Sequence, residues 1–157
     1  MISAKIITIG DEILIGQIID TNSTFISKQL ISIGVEVQEI LTISDNKEDI
    51  LNAFTDSVNK FDVIITTGGL GPTNDDITKE VFCEFFNDKL VHNSDLLVHI
   101  ETLFKNFVDN PINELNRAQA FVPSKANLIE NKFGTAAGMI LKKIIHFSFL
   151  FQVFHMK

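Results

Sequence analysis

The 157-residue chain contains no Trp and no Tyr, only one Cys and only one Arg. A lone thiol, Cys83, excludes an internal disulfide framework and a cysteine-based zinc site. Cations are also scarce: 13 Lys and Arg face 20 Asp and Glu, for a net charge of −7. That balance argues against nucleic acid as a partner, because phosphate backbones are held by clustered Lys and Arg. The first residues, Met1 to Ile6, lack the basic stretch and long apolar run of a signal peptide. Nothing approaches the roughly 18 apolar residues of a spanning helix. No membrane partner is expected, and the default expectation is a cytoplasmic protein. The four His show no metal-ligand spacing. A Gly-x-Ser-x-Gly elbow is missing, and so is the Gly-Lys-Ser/Thr ending of a Walker loop.

What is present is apolar: 45% of residues, enough for one domain with a real core. Lys5 to Ile9 is a short apolar run closed by Gly10 and reads as a buried strand. Asp20-Thr21-Asn22 offers helix caps before Phe25, Ile26, Leu30 and Ile33 at helical spacing, with Gly34 to end the helix. Val35 to Ile43 alternates as a second strand. Ser44-Asp45-Asn46 caps a helix bearing Ile50, Leu51, Phe54 and Val58. Asp62 to Thr66 is a β-branched third strand. Helices follow over Ile77–Phe86 and Ser94–Val108, a short one runs from Pro111 to Ala118, and short strands lie near Phe121–Pro123 and Leu128–Ile129. This alternation predicts an α/β fold with a parallel sheet and helices on both faces. Ligands of such sheets sit beyond the carboxyl ends of the strands. The turns Gly10-Asp11-Glu12 and Gly68 to Asp76 both lie at such ends and are expected to face one crevice.

Gly68-Gly69-Leu70-Gly71-Pro72-Thr73 can turn its backbone N–H groups toward an anion, and the helix behind adds its positive dipole end. A plain strand-to-helix turn is the alternative. Asp75 and Asp76 follow. Two carboxylates repel a phosphate, unless a divalent cation such as Mg²⁺ takes oxygens from both, so the pair suggests a metal-assisted site or one that binds a ligand's amino or hydroxyl groups. Read singly, either is a cap or a solvated side chain. Asp45 is a candidate metal ligand or general base, with a helix cap as its alternative. Asp20-Thr21-Asn22-Ser23 is explained by capping, with ligand contact as the second reading. Arg117, beside Asn116, is a candidate phosphate clamp or an ordinary surface residue. Gly134-Thr135-Ala136-Ala137-Gly138 is a second small-residue turn, able to admit a flat group.

Taken in order, Gly10-Asp11-Glu12-Ile13-Leu14-x-Gly16, Asp20-Thr21-Asn22-Ser23, Thr67 to Asp76 with Thr78, Asn116-Arg117-x-Gln119-Ala120 and Gly134-Thr135-Ala136-x-Gly138 resemble the N-terminal domain of the CinA family. That family belongs to the MoaB/Mog-like, molybdopterin-binding superfamily. The resemblance covers residues 1–139. It implies a three-layer α/β/α fold with a mostly parallel sheet, and for CinA-type domains a metal-dependent ADP-ribose pyrophosphatase. For the wider superfamily it implies molybdopterin binding, often with adenylyl transfer. On matching motifs it implies catalytic Asp76 and Asp45, and a divalent metal (Mg²⁺ or Mn²⁺) at Asp75 and Asp76. A nucleotide or pterin would be bound by Gly10, Asp11, Glu12, Gly68 to Thr73, Thr78, Asn116, Arg117, Gly134, Thr135, Ala136 and Gly138. A homo-oligomer is expected. The nicotinamide-mononucleotide deamidase-like domain common in CinA proteins is not seen and is not carried over.

After Met139 the resemblance stops. The family continues with a strand and a Pro-Gly-Val-Pro-x-Glu-Met loop, whereas residues 140–157 are an apolar, Phe-rich tail. With one choice of codons, Phe147 to Lys157 read two nucleotides later gives Phe-Ile-Phe-Ile-Pro-Gly-Val-Pro-Tyr-Glu. The expectation is a shifted reading frame after Met139, a lost sheet strand and crevice loop, and an exposed tail. A divergent apolar edge strand is the alternative.

Overall fold

The computed structural model describes residues 1–69, 77–107, 111–143 and 148–153. Three parallel strands come first: β1 (Ile2–Ile9), β2 (Val35–Ile43) and β3 (Val63–Gly68). β1 lies between the other two, so Ile9 sits opposite Ile43 on one side and Gly68 on the other. Connections of this kind need a helix to return the chain, and α2 (Thr21–Ser32) and α3 (Lys47–Ser57) supply it.

Side chains that alternate along a strand must bury both faces. Ile6 and Ile65 pack under Ile26 and Leu30 of α2. Ile7, Ile9 and Ile64 join Ile50 and Phe54 of α3, with Val81 and Phe82 of α4 (Thr78–Phe85), in the larger core. The result is the expected three layers. The stripe on α2 is narrower than its spacing suggests, since Phe25 is 50% exposed and Ile33 74% exposed. The cap of α3 is Asn46, whose side chain accepts from the Asp49 N–H at 2.9 Å. Asp45 is thereby released from the capping role that the sequence offered it.

The chain then adds β4 (Leu90–His92), α5 (Ser94–Phe107), α6 (Glu114–Ala118) and β5 (Phe121–Pro123). β4 and β5 pair antiparallel in a small sheet of their own. The last strands, β6 (Asn127–Ile129), β7 (Gly138–Lys143) and β8 (Ser148–Val153), return to the main sheet, ordered β2-β1-β3-β8-β7-β6.

The expected loss of a strand after Met139 is overturned. β7 runs straight across that position, and β8 is an interior strand, parallel to β3 from Val63↔Phe149 to Thr67↔Val153 and antiparallel to β7. A ladder is made of backbone groups, so any segment of high strand propensity can complete it, and Phe, Leu and Val supply that propensity. Among the described residues no helix is long and apolar enough to cross a membrane.

Candidate functional site

The parallel strands end together, and their register brings Gly10, Ser44 and Gly69 to one edge of the sheet. The Gly10 N–H donates to the Ile43 carbonyl at 3.1 Å, fastening the start of α1 (Asp11–Leu14) to the end of β2. Asp11 and Glu12, expected in a turn after the first strand, lie in this short helical turn and are exposed. Ser44 Oγ donates to Asp11 Oδ1 at 2.6 Å, which ties the two turns directly. Burial, and then the charges of Asp11 and Glu12, push the Asp45 carboxyl above its ordinary value. Carboxylates therefore gather here against their mutual repulsion.

The glycine turn is built tightly. Gly68 has φ +91° and Gly69 φ +66°, a region that favours glycine. A Cβ on Gly68 would collide with the Ile9 carbonyl oxygen, and one on Gly69 with Thr78 Oγ1. Both glycines are thus required by the chain's own packing, before any ligand is considered. Thr78, 1% exposed, seats the start of α4 against the turn. Leu70, Gly71, Pro72, Thr73, Asp75 and Asp76 lie outside the described residues.

Beneath this edge runs a polar belt that the sequence had assigned to capping. Asp20 caps α2 through the Ser23 N–H at 2.9 Å and also accepts from Thr8 Oγ1 at 2.7 Å. Burial works against its charge, but these hydrogen bonds outweigh it and hold the carboxyl below its ordinary range. Asn22 Nδ2 donates to Thr67 Oγ1 at 3.0 Å, one residue before the glycine turn. The signal for this belt was the run Asp20-Thr21-Asn22-Ser23. Its Thr partners on β1 and β3 have no sequence signature, because only the sheet register brings them near.

Topology carries the second small-residue turn to the same edge. β7 runs against β8, so Gly138, its first residue, lies where the parallel strands finish. The loop leading to it is held by Asn131, which donates to the Ala136 carbonyl at 3.2 Å and accepts from the Phe133 N–H at 3.1 Å. The Asn131 carbonyl lies 2.8 Å from His99 Nε2 on α5. Gly134 packs against the Asn131 side chain. Gly134, Thr135, Ala136 and Gly138 accordingly line the edge two strands away from β3, about 10 Å off.

Asn116 and Arg117 sit on α6, linked to the site by a different route. Arg117 Nη1 meets Glu101 Oε1 of α5 at 2.5 Å, so the one guanidinium is engaged by a carboxylate. Lys79, second residue of α4 and 9% exposed, donates to the carbonyls of Gln119 and Phe121, both at 3.1 Å. This buried lysine was not singled out in the sequence. Among the described residues, no group of three or more His, Cys, Asp or Glu is close enough to hold a metal ion.

A family described as a probable molybdopterin binding domain matches residues 5–151. A CinA-like protein of Flavobacterium psychrophilum is 55% identical over 140 residues, which are 89% of this chain and 34% of that protein. A putative competence-damage inducible protein of Clostridioides difficile is 44% identical over 89% of this chain and 33% of its own length. The chain therefore spans about a third of these curated relatives. A crystal structure of the protein CinA, of unknown function, from Thermoplasma acidophilum superposes with a TM-score of 0.84 at 30% identity. That match covers 97% of this chain and 87% of the other. The tungsten cofactor synthesizing protein MoaB of Pyrococcus furiosus shares the fold, with a TM-score of 0.60 at 21% identity over 98% of this chain and 82% of that one.

Proposed function

The chain belongs to the family of probable molybdopterin binding domains, in its CinA-like branch, and on that premise we propose that it hydrolyses the pyrophosphate of ADP-ribose or a related nucleotide with the help of a divalent metal. The observation that carries the reading is the convergence of Gly10-Asp11-Glu12, Ser44-Asp45 and Gly68-Gly69 on one edge of the sheet. An anion-binding turn next to crowded carboxylates suits a phosphate and a cation together, and neither one alone.

The donor chemistry fits such a cation: the groups are carboxylate oxygens, which suit Mg²⁺ or Mn²⁺. The raised Asp45 carboxyl supports the fit, since a cation would offset both the burial and the neighbouring charges that raise it. Asp75, Asp76 and Asp45 are the residues proposed to hold it. When bound, the metal would polarise a phosphoryl oxygen and lower the pKa of an attacking water. The glycine turn would bind the phosphates through backbone N–H groups. Thr78 would fix the turn against α4. Water adds to one phosphorus, the bridging P–O bond breaks, AMP and ribose 5-phosphate separate, and Asp45 takes the water's proton. Gly134 to Gly138 would form the far wall of the crevice. A homo-oligomer is part of the same proposal. The exposed Leu14, Ile15, Ile18 and Ile19 support it, and light scattering tests it.

The test is release of AMP from ADP-ribose with Mg²⁺ or Mn²⁺. Chelation with EDTA should abolish it, and Asp76→Ala should lower it by about a hundredfold or more. Turnover indifferent to both would reject the proposal. A second reading, pterin or nucleotide binding without turnover, draws on the family's description. Tight pterin binding with no AMP release would favour it.

A further inference from the structure

Among the described residues only three buried side-chain oxygens or nitrogens find no hydrogen-bond partner: Ser27 Oγ, Thr78 Oγ1 and Gln119 Oε1. Two of the three flank Lys79. Thr78 precedes it in α4, and Gln119 supplies one of the two carbonyls that receive its ammonium. Buried polar atoms are nearly always paired, so an orphan in a native fold requires a reason. Thr78 also touches the glycine turn. Gln119 therefore stands one lysine side chain away from that turn, 5% exposed, between Asn116-Arg117 and the fully buried Ala120.

Lys79 fixes this arrangement. Its long stem spans from the first turn of α4 to the carbonyls on either side of Ala120, and a buried ammonium cannot release both acceptors cheaply. The segment after α6 is thereby held in register with the start of α4. The clamp fixes the backbone of Gln119, and burial, with 5% of the residue exposed, keeps its side-chain oxygen from water.

We propose that Gln119 is a ligand-recognition residue whose buried Oε1 accepts a hydrogen bond from a hydroxyl or amino group of the bound nucleotide, and that Lys79 is the positioning residue that holds it in place. The inference rests on the nucleotide reading of the crevice. An acceptor left empty costs the free protein stability and rewards a ligand that supplies the donor, while rejecting one that does not.

This predicts effects of opposite sign in one variant. Gln119→Met fills the same space without the oxygen. Its melting temperature should equal or exceed that of the unsubstituted protein. Its Kd for AMP, a reaction product that cannot be turned over, measured by calorimetry with Mg²⁺ present, should rise about tenfold or more. Lys79→Met should also raise the Kd at a temperature where its circular dichroism matches the unsubstituted protein. A lower melting temperature for Gln119→Met with unchanged Kd would overturn the inference, since the oxygen would then serve the fold alone. If the unsubstituted protein binds neither ADP-ribose nor AMP, the nucleotide reading fails separately. A fall in the melting temperature of Gln119→Met then overturns the inference independently, because the oxygen serves the fold.

Discussion

The two glycine-bearing turns on the crevice edge are held by different means. Gly68 and Gly69 are wedged between the Ile9 carbonyl and Thr78, with positive φ at both. Gly134 stands against a flexible side chain, Asn131 Nδ2, which a Cβ would approach to 2.7 Å. The first turn is fixed by backbone collision and the second by hydrogen bonds that can shift. A rigid turn can present a preset row of N–H groups, as phosphate recognition requires. A hydrogen-bonded loop can adapt to the remainder of a ligand.

The largest effect should therefore come from Gly68→Ala. Positive φ and a backbone clash together should cost on the order of 3 kcal/mol or more. Gly134→Ala should cost about 1 kcal/mol or less, the share of one displaced hydrogen bond. Urea unfolding of both variants compares them directly. Equal losses would mean that the two turns are held alike.

That contrast also shows what the sequence could carry. Gly68 and Gly69 were legible as a strand-to-helix turn, because the β-branched strand and the helical pattern flank them locally, whereas the Ile9 carbonyl that excludes a side chain at Gly68 was not. The β2-β1-β3 half of the sheet was legible for the same reason: alternation, caps and Gly10 or Gly34 mark every boundary. The other half was not. Whether residues 148–153 join the sheet depends on β3 and β7 offering free backbone groups, a fact held nowhere in that segment. Motif spacing suggested a missing strand, and pairing supplied one. Arg117 was visible as a cation and its engagement by Glu101 was not. Gln119 was visible only as part of the run Asn116-Arg117-x-Gln119-Ala120, and Lys79 escaped notice, because 40 residues separate the two ends of their hydrogen bond.

Two aspartates at this end of the sheet extend the comparison to electrostatics, with smaller effects. Asp20 is held below its ordinary pKa. Its contribution is present above the unfolded value, about 3.9, and is lost as pH falls through the lower folded pKa. Asn caps helices as well as Asp does. Asp20→Asn should therefore cost about 1 kcal/mol at pH 7, mainly through the Thr8 contact. That difference should vanish on acidification through the folded pKa. A loss of constant size from pH 7 to pH 2 would show that shape, and not charge, matters at this position.

Asp45 has the opposite sign and the smallest expected effect. Its folded pKa lies above the unfolded one, so the fold prefers the neutral acid. Below the unfolded pKa the carboxyl is neutral in both states and contributes nothing. As pH rises through the folded pKa, the charged form weighs against folding. Asp45→Asn should thus raise the melting temperature at pH 7 and leave it unchanged well below pH 4. Mg²⁺ should narrow the gap at pH 7 by stabilising the unsubstituted protein, because a cation favours the carboxylate that the variant lacks. A variant less stable at pH 7 would mean that Asp45 is kept for the fold, and its place among the crowded carboxylates would lose its functional meaning. A variant more stable, and slower in releasing AMP, would show a carboxylate retained at a cost to stability, as sites of chemistry commonly are.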